Sequence, residues 1–187
     1  MENYKKNLEL LTKNYVYSKE MEHDACGVGL IASTEGKKSR AIVEYGIEAL
    51  KAVWHRGAVD ADGKTGDGAG IHLEIPKDFF IEKIQVTGHD YDNSEICVGM
   101  IFLPRNDYSA QESCKTIVES ELTKNNFSIY GWRQVPVNPK VLGEKALQTM
   151  PEIIQVLFKS NDPNLLDKKL ERKIYETRKR IENKAFD

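Results

Sequence analysis

The sequence predicts one layered domain of the α/β or α+β class, with a short appendage. Short apolar runs of strand length are interspersed with longer stretches of helical period. Several of the runs stand close enough together to be hairpin neighbours. The 187 residues are enough for a domain that buries roughly 70% of its unfolded surface without a disulfide or metal staple. No internal repeat and no low-complexity segment breaks the pattern.

Taken in order, residues 1–25 are polar with mixed charge and read as a leader or arm. Residues 26–33 read as a buried strand, because the apolar run is short and bounded by glycine. Ser39 is placed to cap a helix whose Ile42, Tyr45, Gly46, Ala49, Leu50 and Val53 share one apolar face. Gly57 should end it near Arg56. Gly57 to Gly70 carries five glycines and three aspartates, a loop that needs backbone freedom. Ile71, Leu73 and Ile75 alternate as one face of a strand. Pro76 opens a short helix bearing Phe79, Phe80 and Ile84, and residues 84–95 read as a surface excursion.

Ile96 to Leu103 is a strongly apolar strand. Asp107 or Ser109 caps a helix reaching Lys124, with Ile117, Val118 and Leu122 inward. Phe127 to Val137 and Glu152 to Phe158 read as two further strands. Residues 164–184 form a charged helix with a narrow stripe of Leu166, Leu170, Ile174 and Ile181.

Composition excludes several classes of function. Hydrophobic residues make up 40% and charged residues 30%, and the net charge is −2, so nothing marks a nucleic-acid surface. No apolar run is long enough to span a membrane, and residues 1–11 lack the apolar centre of a signal peptide. The three cysteines, Cys26, Cys97 and Cys114, form no C-x-x-C pair, and the four histidines show no metal-ligand spacing. Reduced thiols in a cytoplasmic protein are the expectation.

Four places invite chemistry. Gly63-Lys64-Thr65 suggests a phosphate loop, but the required upstream glycine position holds Ala58, and no apolar strand leads in. A tight surface loop near an active site fits better. His55-Arg56-Gly57 is either a cationic helix end facing the macrodipole or an arginine presented to a carboxylate. Cys97 on a strand and Cys114 on a helix read as packing residues. Cys26 reads either as a small buried hydrophobe or as a nucleophile. Cleavage of one bond before it would leave a free thiol and a free α-amine on a single residue.

Asp24-Ala25-Cys26-Gly27-Val28-Gly29-Leu30-Ile31-Ala32 resembles the start of the glutaminase domain of the glutamate synthase large subunit family. The resemblance continues through Trp54-His55-Arg56-Gly57-Ala58, through Ala61-Asp62-Gly63-Lys64-Thr65-Gly66-Asp67-Gly68-Ala69-Gly70 and into Ile75-Pro76-Lys77-Asp78-Phe79-Phe80. Met100-Ile101-Phe102-Leu103-Pro104 and Thr177-Arg178-Lys179-Arg180-Ile181-Glu182 also look like that family.

The resemblance implies a class II glutamine amidotransferase domain over 26–187, of the N-terminal-nucleophile hydrolase type. Its fold is α+β, a four-layer αββα sandwich, here an incomplete copy. It implies removal of residues 1–25 and a catalytic Cys26. The freed amine takes the thiol proton, and the thiolate attacks the side-chain amide of glutamine. Arg56 and Asp67 are implied to bind substrate or brace the site, and no metal is implied. The parent protein passes the nitrogen to 2-oxoglutarate. Its FMN and iron–sulfur cluster belong to later domains, so no cofactor is expected in this chain. The implied partners are the remainder of the large subunit and an NAD(P)H-dependent small subunit.

Two later motifs of the family, Arg-Phe-Ser-Thr-Asn and the Asn-Gly pair of the oxyanion hole, are missing from these 187 residues. The isolated chain is therefore expected to be inactive. The alternative is a non-catalytic split fragment that associates with a downstream glutamate synthase polypeptide.

Overall fold

The structure, a computed structural model, describes residues 6, 9–10, 12–13, 27–54 and 57–186. The leader is almost wholly outside the described residues. The chain divides into two compact units, Met1–Ala58 with Asp67–Ile71, and Val59–Gly66 with His72–Asp187.

The first unit is organised by helix α1, Arg40–Ala52. Ser39 stands at its N-cap in an extended conformation but makes no side-chain capping bond. The helix ends sooner than Gly57 suggests, and the Gly57 amide instead closes a turn onto the Trp54 carbonyl at 3.0 Å. Gly46 lies on the expected apolar face because Ile71 packs there. A Cβ at Gly46 would stand 3.1 Å from Ile71 Cδ1.

The second unit holds a three-stranded antiparallel sheet. It is built from β1 (Cys97–Leu103), β2 (Phe127–Gln134) and β3 (Glu152–Ser160), in the order β1-β3-β2. Around it lie α2 (Lys77–Val86), α3 (Tyr108–Lys124), a 3-10 turn (Pro139–Val141), α4 (Glu144–Thr149) and α5 (Asp167–Phe186). The architecture is therefore α+β, and among the described residues there is one sheet.

Strand alternation sorts the core into two clusters. Val156 and Phe158 of β3 join Val118 and Leu122 of α3 and Leu170 of α5. Leu157, pointing the other way, joins Phe80 and Ile84 of α2 with Ile96 and Tyr130. A bulge in β2 makes this division work. Ile129 pairs with Phe158 and Gly131 with Leu157, so Tyr130 is an extra residue. The inserted residue re-phases the strand. Phe127, Ile129 and Trp132 can then all reach the first cluster while Tyr130 enters the second. Gly131 (φ 150°) is required there, since a Cβ would stand 2.7 Å from Thr87 Cγ2.

Asp107 is the cap of α3, its Oδ1 accepting from the Ala110 amide at 2.9 Å. Cys97 is buried in the first cluster, where desolvation pushes its thiol up to about 12. Cys114 is half-buried. Both positions agree with packing roles. Beyond its first residue the 84–95 stretch is mostly exposed, in keeping with the surface reading, but it is anchored. Ile84 is fully buried, and Asp92 ties the segment to the sheet by accepting from the Tyr130 hydroxyl at 2.9 Å and pairing with Lys159.

Two expected strands are not strands. Residues 27–33 and 71–75 carry no ladder, although their apolar patterning suits one. A strand exists only where a neighbour accepts its backbone groups, and among the described residues neither segment has such a neighbour. Val28 and Leu30 accordingly remain 93% and 90% exposed.

Helix α5 is held to α3 by an ion pair. Lys184 Nζ lies 2.5 Å from Oε1 of Glu121, a carboxylate whose side chain is only 5% exposed. The Lys184 bond and charge, with Lys124 adding to them, hold the Glu121 carboxyl below its ordinary 4.5, and the bond to Glu121 raises Lys184 above its ordinary 10.5. A lowered acid stabilises the fold above its unfolded value and loses that contribution as pH falls through the folded one. The raised lysine loses its contribution as pH rises through its folded value. Lys184→Met should therefore cost most between these limits, and the difference from wild type should shrink in acid below 4.5. Urea denaturation at pH 7 and pH 3 measures it, and an equal loss at both would refute the pairing.

Candidate active site

The residues singled out by sequence fall on both sides of what is described. Cys26 and Arg56 lie outside the described residues, as does His55. Asp67 is described, and it bonds to the backbone of Ala58. Its Oδ2 accepts from the Ala58 amide at 2.8 Å, while its own amide donates to the Ala58 carbonyl at 3.2 Å. This pair of bonds fixes the backbone two residues beyond Arg56.

The neighbouring Val59–Gly66 segment is a small hairpin of its own. Val59 and Gly66 form an antiparallel bridge. The Asp60 amide donates to the Thr65 carbonyl at 2.7 Å, and the Gly63 amide donates to the Asp60 carbonyl at 2.9 Å. Gly63 occupies the left-handed region at φ 68°, where a side chain would be strained.

Asp62 is the hub of this hairpin. Oδ1 accepts from the Lys64 amide at 2.9 Å and the Thr65 amide at 2.7 Å. Oδ2 accepts from the Thr65 hydroxyl at 2.6 Å. The Thr65 hydroxyl, followed by these amides, holds the carboxyl far below the ordinary carboxylate range although Asp62 is exposed.

This arrangement answers the phosphate-loop question. A phosphate cradle needs convergent amides free for an anion. Here the amides of Lys64 and Thr65 already converge on the chain's own carboxylate. The glycine-rich loop is self-closed, in agreement with the out-of-register motif.

Asp60, Asp62, Gly143 and Lys145 were not marked as site residues by sequence. An aspartate three residues before a threonine is a recognisable turn signal, so Asp62 was within reach. The partnership with α4 was not, because it joins positions about eighty residues apart.

Residues 26–187 match the family of glutamine amidotransferases class-II, a stretch that starts at Cys26. The chain is 52% identical over 179 residues to the "Glutamate synthase [NADPH] large chain" of Azospirillum brasilense, covering 96% of this chain and 12% of that protein. It is 40% identical over 174 residues to the "Ferredoxin-dependent glutamate synthase" of Pyropia yezoensis, covering 92% and 11%. The chain thus spans about a tenth of the length of these relatives. The resemblance read from the Cys26–Phe80 motifs is borne out. No described helix is long and apolar enough to cross a membrane.

Proposed function

The chain belongs to the class-II glutamine amidotransferase family, and from that premise we propose that it is the glutaminase portion of a glutamate synthase. In this reading residues 26–187 form the amidotransferase domain, with a four-layer sandwich once its second sheet is complete. Cys26 is the nucleophile, exposed by removal of residues 1–25. The observation that carries the proposal is that the family match starts at Cys26.

The chemistry follows from the functional groups. A thiol near pKa 8.5 is mostly protonated at neutral pH and needs a base. The α-amine of an N-terminal cysteine titrates near 8, so its neutral form can take that proton. The thiolate adds to the side-chain amide carbon of glutamine, and ammonia leaves with a proton returned by the amine. Water then cleaves the thioester to give glutamate. Arg56 and Asp67 brace this site, and Asp67 is already seen holding Ala58. In the parent protein the ammonia passes to 2-oxoglutarate, with FMN, an iron–sulfur cluster and an NAD(P)H-dependent small subunit contributed from outside these residues. The setting proposed is cytoplasmic.

A second reading is favoured by the exposure of Val28 and Leu30. These apolar side chains suit a piece that binds a downstream glutamate synthase polypeptide and is inactive without it. Intact mass and ammonia release from glutamine test both readings. Loss of residues 1–25 with ammonia release only in the presence of the downstream polypeptide is the expected result. A retained leader in an active protein would sink the role given to Cys26, and robust release by the 187-residue chain alone would sink the second reading.

A further inference from the structure

The 59–66 hairpin is closed by its own hydrogen bonds, yet it is also held from outside. Lys145 Nζ lies 2.6 Å from Asp60 Oδ2. Gly143 sits so close to the loop that a Cβ would stand 2.5 Å from the Thr65 nitrogen, and closer still to Thr65 Oγ1 and Asp62 Oδ2. These contacts come from Gly143 and Lys145, at the start of α4. A partly exposed ion pair alone is a weak tie. The glycine contact is different in kind, because a backbone atom cannot swing aside as a side chain can. Only a residue without Cβ allows α4 and the loop to approach this closely.

α4 in turn reaches β3 through Met150 and Pro151 alone. The central strand of the sheet is thereby linked by a short, direct path to the glycine-rich loop. A loop registered in this way holds one position relative to the core.

We infer that Gly143 and Lys145 are positioning residues that latch the 59–66 loop to the start of α4, and that they act on glutamine hydrolysis through that loop. The second clause rests on the glutaminase reading above; the first does not.

Hydrogen exchange of the loop amides, followed by mass spectrometry of the 187-residue chain, tests the latch. Gly143→Ala and Lys145→Glu should each speed exchange across 58–67 by about tenfold, with β3 exchange unchanged. The double variant Asp60→Lys with Lys145→Glu restores the opposite-charge pair and should return loop exchange to within about threefold of wild type. Unchanged exchange in both single variants overturns the latch. If Gly143→Ala also loosens β3, the charge-swap pair decides, and failure of the swap to recover protection overturns it. Cys26→Ala serves as the separating control. It should leave loop exchange untouched, so the latch and the glutaminase reading can fail independently. With the downstream polypeptide present, glutamine turnover should fall in Lys145→Glu and recover in the swap. A loosened loop with full turnover would overturn the action on the site.

Discussion

Cys26→Ala should leave no ammonia release from glutamine above the uncatalysed rate, in the 187-residue chain and in its complex with a downstream glutamate synthase polypeptide alike. The proposed mechanism has one nucleophile, and alanine offers neither a thiol nor a substitute. Cys26→Ser should recover little, because a hydroxyl is far less acidic than a thiol and the α-amine is too weak a base to activate it. The pH profile carries a second signature. The productive amine is neutral, so the rate should rise as pH increases toward the amine's ordinary value near 8. The thiol and the amine interact, so the apparent value belongs to the pair. Ammonia release across pH 6 to 9, in wild type and Cys26→Ala, measures both effects. Full turnover in Cys26→Ala would end the assignment.

Leu157→Ala should destabilise the second unit by about 2–5 kcal/mol, toward the upper end of that range. Leu157 has no exposed surface, and its strand is the central one, paired with Val98 on one side and Gly131 on the other. Ladders on both sides restrain the backbone from closing a cavity. Ile84 of α2, also fully buried, would face the vacated volume. Val28→Ala is the comparison. At 93% exposure its change should stay within about 0.5 kcal/mol. Urea midpoints of the two variants give the contrast, and similar losses at both positions would contradict the burial pattern.

Much of the second unit was legible in the sequence. The three strands, a cap at Asp107 or Ser109 and the apolar stripe of α5 follow from local patterning, and the structure places the strands within a few residues of their expected bounds and selects Asp107 as the cap. The strands expected at 26–33 and 71–75 were misread for a shared reason. Alternation signals a side chain's preference for a buried face, while strand formation also depends on a neighbour elsewhere. The β2 bulge was illegible too, because the residue that re-phases the strand looks like any other in an aromatic run.

The candidate site divides the same way. Cys26, Arg56 and Asp67 stood out through motifs, and of these the structure describes Asp67 alone, as a brace on Ala58. The phosphate-loop reading was already weakened by register, and the turn of Asp62 onto Lys64 and Thr65 removed it.

By itself the sequence narrowed the fold to a layered α/β or α+β domain and carried the family motifs and the residue types available for amide chemistry, because those depend on composition, local period and short contiguous motifs. Tertiary structure alone decided that Gly143 must lack a side chain, that Lys145 meets Asp60, and that Leu157 and Val156 serve opposite cores. Each of those facts is a distance between segments remote in sequence, and such distances arise only when the sheet and its helices pack.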